Sequence, residues 1–261
     1  MSLKKILIPA LCATAIIAAA ISVWAEAPQL LDQRALDALK LMSDTISQAK
    51  TVRFQARSMV PIRTPQGVWI NLYGTSQVIM QGPDKLFATT GGDLTARDFY
   101  YNGKTITSYS PDKNLYAVKE APPTVDAMIE DEHNKYGKSF PYADILISEP
   151  YAVMTKGLTM ALYVGRSTIV PISAAGGAKT DHFVFLNKGV EWQIWIDVGN
   201  HLPRLVVATY LDDASEPSYS VEFGDWKLNE PIDPTVFIFN NVSNASKVEF
   251  RDPAAMKQGG V

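Results

Sequence analysis

Ala96-Arg97-Asp98-Phe99-Tyr100-Tyr101-Asn102-Gly103-Lys104-Thr105-Ile106-Thr107-Ser108-Tyr109-Ser110 is the stretch that decides the fold class of this chain. Aromatic and β-branched residues fill both arms, and such residues suit a pleated, half-buried surface. Asn102-Gly103 between them is a strong short-range hairpin signal. The reading predicts strands over Ala96–Tyr101 and Thr105–Ser110, paired with each other. Asp112-Lys113-Asn114 then turns the chain into a further strand, Leu115 to Lys119.

Toward the N-terminus the same period of two recurs. In Thr51 to Ser58 small and apolar side chains occupy even positions and long polar ones odd positions. That pattern is a strand with one wet face. Gln66 to Gln81 is a longer strand with Ile70, Leu72, Val78 and Met80 on one side. Gly82-Pro83-Asp84 turns it into Lys85–Thr90, which ends at Gly91-Gly92-Asp93. Toward the C-terminus six more strands are expected: Met160–Ile172, Thr180–Leu186, Glu191–Val198, Arg204–Tyr210, Tyr219–Lys227 and Thr235–Phe239. Strands in sequence order joined by short turns make a meander.

Two segments break the pattern. Leu30 to Ala49 reads as an amphipathic helix, with Leu31, Ala35, Leu39, Met42 and Ile46 at three- and four-residue spacing. Pro122-Pro123-Thr124 introduces a second helix, Val125 to Tyr136, with Thr124 as N-cap and Val125, Met128 and Ile129 on one side. Phe140 to Ile147 reads as a short helical or irregular segment covering something apolar. The expected fold is therefore mainly β (α+β): one large antiparallel sheet that must hide one apolar face. With so few helices, they pack inside a strongly curved sheet.

Export is written in the first residues. Lys4 and Lys5 precede an uncharged apolar run from Ile6 to Ala20, and Ala25-Glu26-Ala27 supplies small residues for cleavage near Ala25 or Ala27. This is the order of a secretory signal peptide. The cysteine, Cys12, lies inside the apolar run rather than at its end, so a lipid anchor is not expected. The division is 1–27 signal peptide, 28–253 folded domain with a helical insert at 122–147, and 254–261 flexible tail. The chain carries 24 Lys and Arg against 27 Asp and Glu, a net charge of −3. Nothing is basic enough for nucleic acid.

Candidate chemistry is sparse. His133, His182 and His201 have no metal-ligand spacing and no cysteine to help, so no metal or cofactor is expected. His182 follows Asp181, but no nucleophile elbow accompanies them. A structural histidine is the better reading, and a hydrolase using His182 stays as the lesser alternative. The glycine pairs lack the strand–loop–helix setting of a phosphate site. Trp192 and Trp195 lie on opposite faces of one strand, with Trp192, Ile194 and Ile196 sharing a face. Such residues serve as core, or line a site for acyl chains.

Asp181-His182-Phe183-Val184-Phe185, Glu191-Trp192-Gln193-Ile194-Trp195-Ile196-Asp197, Leu202-Pro203-Arg204-Leu205, Asp225-Trp226-Lys227 and Phe237-Ile238-Phe239 together resemble the motifs of the DUF2092 family of exported bacterial proteins. The segments Thr124–Met128 and Phe140–Leu146 are similar to it too. That family is similar in architecture to the lipoprotein carriers LolA and LolB, to mycobacterial lipid-binding lipoproteins and to the RseB stress sensor. The resemblance implies a LolA-like open half-barrel with helices closing its concave side. It implies a periplasmic carrier or binding protein for a hydrophobic ligand, a lipid or lipidated protein, and no catalytic residues. The alternative it leaves is an RseB-like sensor or scaffold that binds another exported protein. Transient membrane contact is compatible with either role. On this reading Phe54, Ile70, Leu72, Met80, Met128, Ile145, Leu146, Trp192, Ile194 and Ile196 line the ligand site on the concave face and lid.

Overall fold

A computed structural model describes residues 30–93, 95–136, 142–169 and 177–250. The expected signal peptide and the 254–261 tail lie outside these residues, as do Phe140 and Pro141. In chain order the elements are β1 (Leu30–Leu31), α1 (Gln33–Ser47), β2 (Thr51–Arg63), β3 (Trp69–Gln81), β4 (Lys85–Gly92), β5 (Arg97–Tyr101), β6 (Thr105–Ser110), β7 (Leu115–Glu120), α2 (Val125–Tyr136), α3 (Pro150–Met154), β8 (Leu158–Ile169), β9 (Ala178–Asn187), β10 (Val190–Asp197), β11 (Pro203–Tyr210), β12 (Ser218–Leu228) and β13 (Ser246–Lys247).

All thirteen strands join one open, curled sheet in the order β1-β8-β9-β10-β11-β12-β2-β3-β4-β5-β6-β7-β13. The two meanders meet where β12 pairs antiparallel with β2, Phe223 opposite Ala56. Residues directly opposite in an antiparallel ladder share a face. The inner, concave row therefore runs from Phe185 and Trp192 through Ala208, Val221 and Phe223 to Phe54, Val78, Ala88, Phe99 and Ile106. Each of these side chains is buried. Burying one large apolar side chain contributes about 1.5–3 kcal/mol, so this row dominates the stability of the fold.

Both principal helices lie on that face. The stripe Ala35, Leu39, Met42 and Ile46 of α1 enters the same core as Val125 and Met128 of α2. Glu132 belongs to the stripe of Val125 and Met128 by helical spacing and is fully buried. Lys119, in the inner row of β7 opposite Ile106, forms a salt bridge with Glu132 and lies 3.8 Å from Asp131. That pair fixes α2 over the β6–β7 side of the sheet.

Several expectations are corrected. The first helix begins at Gln33, not Leu30, because Leu30 and Leu31 pair in parallel with Met160 and Ala161 of β8. Asp32 then caps α1 by accepting the Arg34 N–H at 2.9 Å, the usual service of an aspartate at that position. Thr235–Phe239 is not a strand: Pro234–Phe237 forms a 3-10 turn, with Asp233 accepting the Thr235 N–H at 2.9 Å. Helix α3 was not anticipated. The Asn102-Gly103 hairpin forms, but Asn102 keeps negative φ and its side chain accepts the N–H groups of Lys104 and Thr105. An Asx cap rather than a two-residue primed turn thus closes it.

The outer face is covered only in part. Phe239 packs on Tyr100, Tyr109 and Tyr116 at centroid distances of 5.5, 5.1 and 4.9 Å. The segment after β12 therefore crosses behind β5–β7 before β13 pairs with β7. Among the described residues no helix is long and apolar enough to cross a membrane.

Candidate ligand-binding site

Residues 142–149, ahead of α3, lie along the concave face. Tyr142 sets its ring edge against Phe54 at 5.6 Å and 87°, and Phe54 also meets Phe223 and Trp226. Burial pushes the Tyr142 phenol's pKa up, with the Ser76 side chain opposing the shift to a lesser degree. Ala143–Ile145 forms a 3-10 turn whose Ile145 and the following Leu146 are buried. Asp126 of α2 holds the end of the segment, accepting the Ser148 N–H at 3.0 Å. Ser43 of α1 accepts the Tyr151 N–H at 2.9 Å, which ties α3 to α1. The centre of the concavity is thus filled by Tyr142, Ile145 and Leu146.

Space remains on either side of this plug. A cavity of about 420 Å³ opens between the end of α1, the β3–β4 turn and the start of α2. Met80 of the inner row lines it, with Ile46, Ala49, Val125, Leu146 and Ile147; Lys50 and Asp126 also border it. A smaller cavity of about 220 Å³ lies against Trp192, Val206, Ala208 and Tyr219 of the inner face, beside Asp144 and Met154. Burial, with Tyr210 and Asp144 nearby, pushes the Tyr219 phenol's pKa upward. A third, of about 830 Å³, is a more polar groove along Arg97, Ser108, Ser110, Lys113 and Glu249. Ligand sites of small molecules occupy about 300–1,000 Å³ and are mostly apolar with a few polar groups. The cavity between α1 and α2 meets both conditions.

The model of a family described as "Predicted periplasmic protein (DUF2092)" matches residues 35–251. The chain belongs to the DUF2092 family. No curated protein matches it in sequence. Among solved structures, an uncharacterized conserved protein from Thermus thermophilus is similar at 11% identity and a TM-score of 0.46, covering 84% of this chain and 100% of its own. LprF from Mycobacterium bovis is similar at 13% identity and TM-score 0.46, covering 77% and 96%. A LolA superfamily protein from Nitrosomonas europaea is similar at 8% identity and TM-score 0.35, covering 78% and 97%.

In this DUF2092 chain the ten residues expected to line a site separate into three groups. Phe54, Met128, Ile145, Ile194 and Ile196 are packed in the core, and Ile196 also borders a small cavity of about 190 Å³ beside Ala38 and Leu41 of α1. Met80 and Leu146 border the 420 Å³ cavity, and Trp192 borders the 220 Å³ one. Ile70 and Leu72 share the inner face but stand beyond the insert; Ile70 is 42% exposed. Ile70 therefore is not part of the covered site, because β2 and β3 outrun the helices that lie on them. The cavity walls Ala49 and Ile147 were missed. Ile46 and Val125 were recognised, but only as helix residues facing the core. Nothing in a stripe of apolar residues tells which of them the packing will leave beside a void.

His182 sits on the outer face. Its ring stacks on Trp195 at 3.9 Å, and Nε2 lies 3.0 Å from the Gln193 amide oxygen. Burial lowers its pKa, favouring the neutral ring. An indole and an amide give this imidazole neither a hydroxyl to activate nor a carboxylate to orient it. Asp181 is turned to Arg166 instead, with bonds of 2.9 and 3.0 Å. Among the described residues no group of His, Cys, Asp and Glu could hold a metal ion.

Proposed function

We propose that this protein is a periplasmic binding protein that shelters a hydrophobic ligand, an acyl chain or similar group, between α1 and α2. The observation that carries the reading is the 420 Å³ cavity, walled by apolar side chains of two helices, the insert and the inner sheet face. The insert supports it further, since a docked segment divides this space from the second cavity on the same face. The family's periplasmic description and the charged-then-apolar first residues support export, with cleavage near Ala25 or Ala27. A lipid or the lipid part of an exported protein would supply such a chain.

Native mass spectrometry after gentle extraction tests the reading, together with titration of a fluorescent fatty acid. Ser47 borders the cavity and is exposed on α1, so Ser47→Trp fills the opening without disturbing the core. The wild type is expected to retain lipid and bind the probe, and Ser47→Trp to bind it at least tenfold more weakly with an unchanged unfolding midpoint. Recovery of a stable protein partner with no lipid, and no probe binding by the wild type, would overturn the reading in favour of a protein-binding sensor.

A further inference from the structure

β2 and β3 pair with each other far beyond their neighbours. Pairing of β2 with β12 ends at Met59–Ser220, and pairing of β3 with β4 ends at Gly74–Gly92. The β2–β3 ladder continues through Val60–Leu72, Pro61–Asn71 and Ile62–Ile70 to Arg63–Trp69. At about 3.4 Å per residue the two-stranded ribbon projects roughly 14 Å past the sheet. Its turn is tightly held. Thr64 O accepts the Gly67 N–H and Val68 O the Thr64 N–H, both at 2.8 Å, while Gly67 has φ +83°. A glycine takes that backbone angle without strain.

The ribbon's surface is apolar where water would favour polar groups. Val60, Ile62, Ile70 and Leu72 form one face. At the tip Val68 is 58% exposed and Trp69 38%. A two-stranded ribbon is marginal by itself, so leaving these side chains in water works against it. The charge pattern is as distinctive. From Thr51 through Pro83 the charged residues are Arg53, Arg57 and Arg63, with no Asp or Glu, in a chain whose net charge is −3. Arg63 reaches back over the turn to Gly67 O at 3.4 Å, which keeps its cation at the tip. Asp93, at the ribbon's base, has its carboxylate on the Tyr73 N–H at 2.9 Å.

We propose that the β2–β3 ribbon is a docking element for an anionic lipid bilayer, with Ile62, Val68, Trp69 and Ile70 entering the headgroup–acyl boundary and Arg63 meeting lipid phosphates. Tryptophan favours that boundary because its ring is apolar and its N–H is polar. Arginine pairs with phosphate through a planar fork of donors. Among the described residues no strand lies beside the outer edges of the ribbon, whose backbone groups need water or headgroups, so it lies in the interface and does not cross hydrocarbon. Pro61, which lacks an N–H, weakens the ribbon as a template for an added protein strand. The reading goes beyond the ligand-binding proposal and does not rest on it.

Vesicles of phosphatidylethanolamine with phosphatidylglycerol, against phosphatidylcholine alone, test it by co-sedimentation of the full chain. The wild type is expected to bind the anionic vesicles, less so at high salt, with a blue shift of tryptophan emission that Trp69→Phe removes. Arg63→Glu lowers binding at least fivefold, since each cation near an anionic surface counts for roughly that factor and the substitution also adds an anion. Ile62→Ser with Ile70→Ser lowers it at least tenfold through lost apolar burial. Both variants keep the wild-type unfolding midpoint and fatty-acid affinity, because the altered side chains lie outside the core. Equal binding to both vesicle types, or binding untouched by the ribbon variants, would overturn the proposal. So would a dimer in solution that these variants dissociate while wild type ignores vesicles. Loss of fatty-acid binding with vesicle binding intact would instead count against the ligand cavity alone.

Discussion

Tyr142→Ala probes whether residues 142–149 are held on the sheet by one buried ring. Tyr142 is 7% exposed and meets Phe54 edge-on at 5.6 Å. A buried aromatic removes about 150–250 Å² from water. At about 25 cal/mol per Å² that is roughly 4–6 kcal/mol for the whole side chain. Truncation to Ala leaves some atoms and permits some collapse, so the expected cost is about 3–5 kcal/mol. Tyr142→Phe keeps the ring and loses only the hydroxyl, so its cost is expected to stay within about 1 kcal/mol. Urea unfolding followed by far-ultraviolet circular dichroism measures both. Amide hydrogen exchange adds a spatial readout: protection in α2 and Ala143–Ile145 is expected to fall well before that of β9–β11, as it does when a segment opens as a unit. A cost below about 1 kcal/mol for Tyr142→Ala would refute the reasoning, since the ring would then contribute nothing to docking.

Two further outcomes follow from ion pairs. Lys119→Met should cost about 3–5 kcal/mol by leaving Glu132 buried without its cation, whereas Lys119→Met with Glu132→Leu should recover most of it; a double variant as unstable as the single one would show that the pair is not the source. Burial pushes the Asp197 carboxyl up, but the hydrogen bonds from Arg204, at 3.0 and 2.7 Å, and from the Gly199 N–H outweigh it and hold its pKa below the usual carboxylate range. A carboxylate depressed in the folded state stabilises above its unfolded pKa, and that stabilisation fades as pH falls through the folded one. Arg204→Met should therefore cost about 2 kcal/mol at neutral pH, and its unfolding midpoint in urea should converge on the wild type as pH drops below about 4; a gap independent of pH would count against this pair.

The sheet was legible because its signal is local. Alternation in Thr51–Ser58 and the apolar row Ile70, Leu72, Val78 and Met80 set face and strand together, since side chains alternate across a strand. The helix Val125–Tyr136 and its cap at Thr124 were legible for the same reason, with the Ala127 N–H donating to Thr124 Oγ1 at 3.2 Å. What failed was set by distant partners. Leu30 and Leu31 fit a helical stripe and pair with β8 instead. Thr235–Phe239 has strand composition, yet Phe237 is buried in a 3-10 turn.

The site follows the same division. The sequence by itself determined that one sheet face is apolar, that α1 and α2 must cover it, and that no metal-ligand spacing is present, because each is a property of pattern or composition. Only the tertiary structure decided how far the cover reaches. It brought Tyr142 onto Phe54, left the cavity beside Ile46, Val125 and Leu146, and left Ile62, Trp69 and Ile70 in the open on a ribbon that outruns its neighbours. The physical reason is that hydrophobic burial is non-directional. It specifies which residues seek cover, whereas the lengths of strands and the packing of helices against them determine which residues receive it.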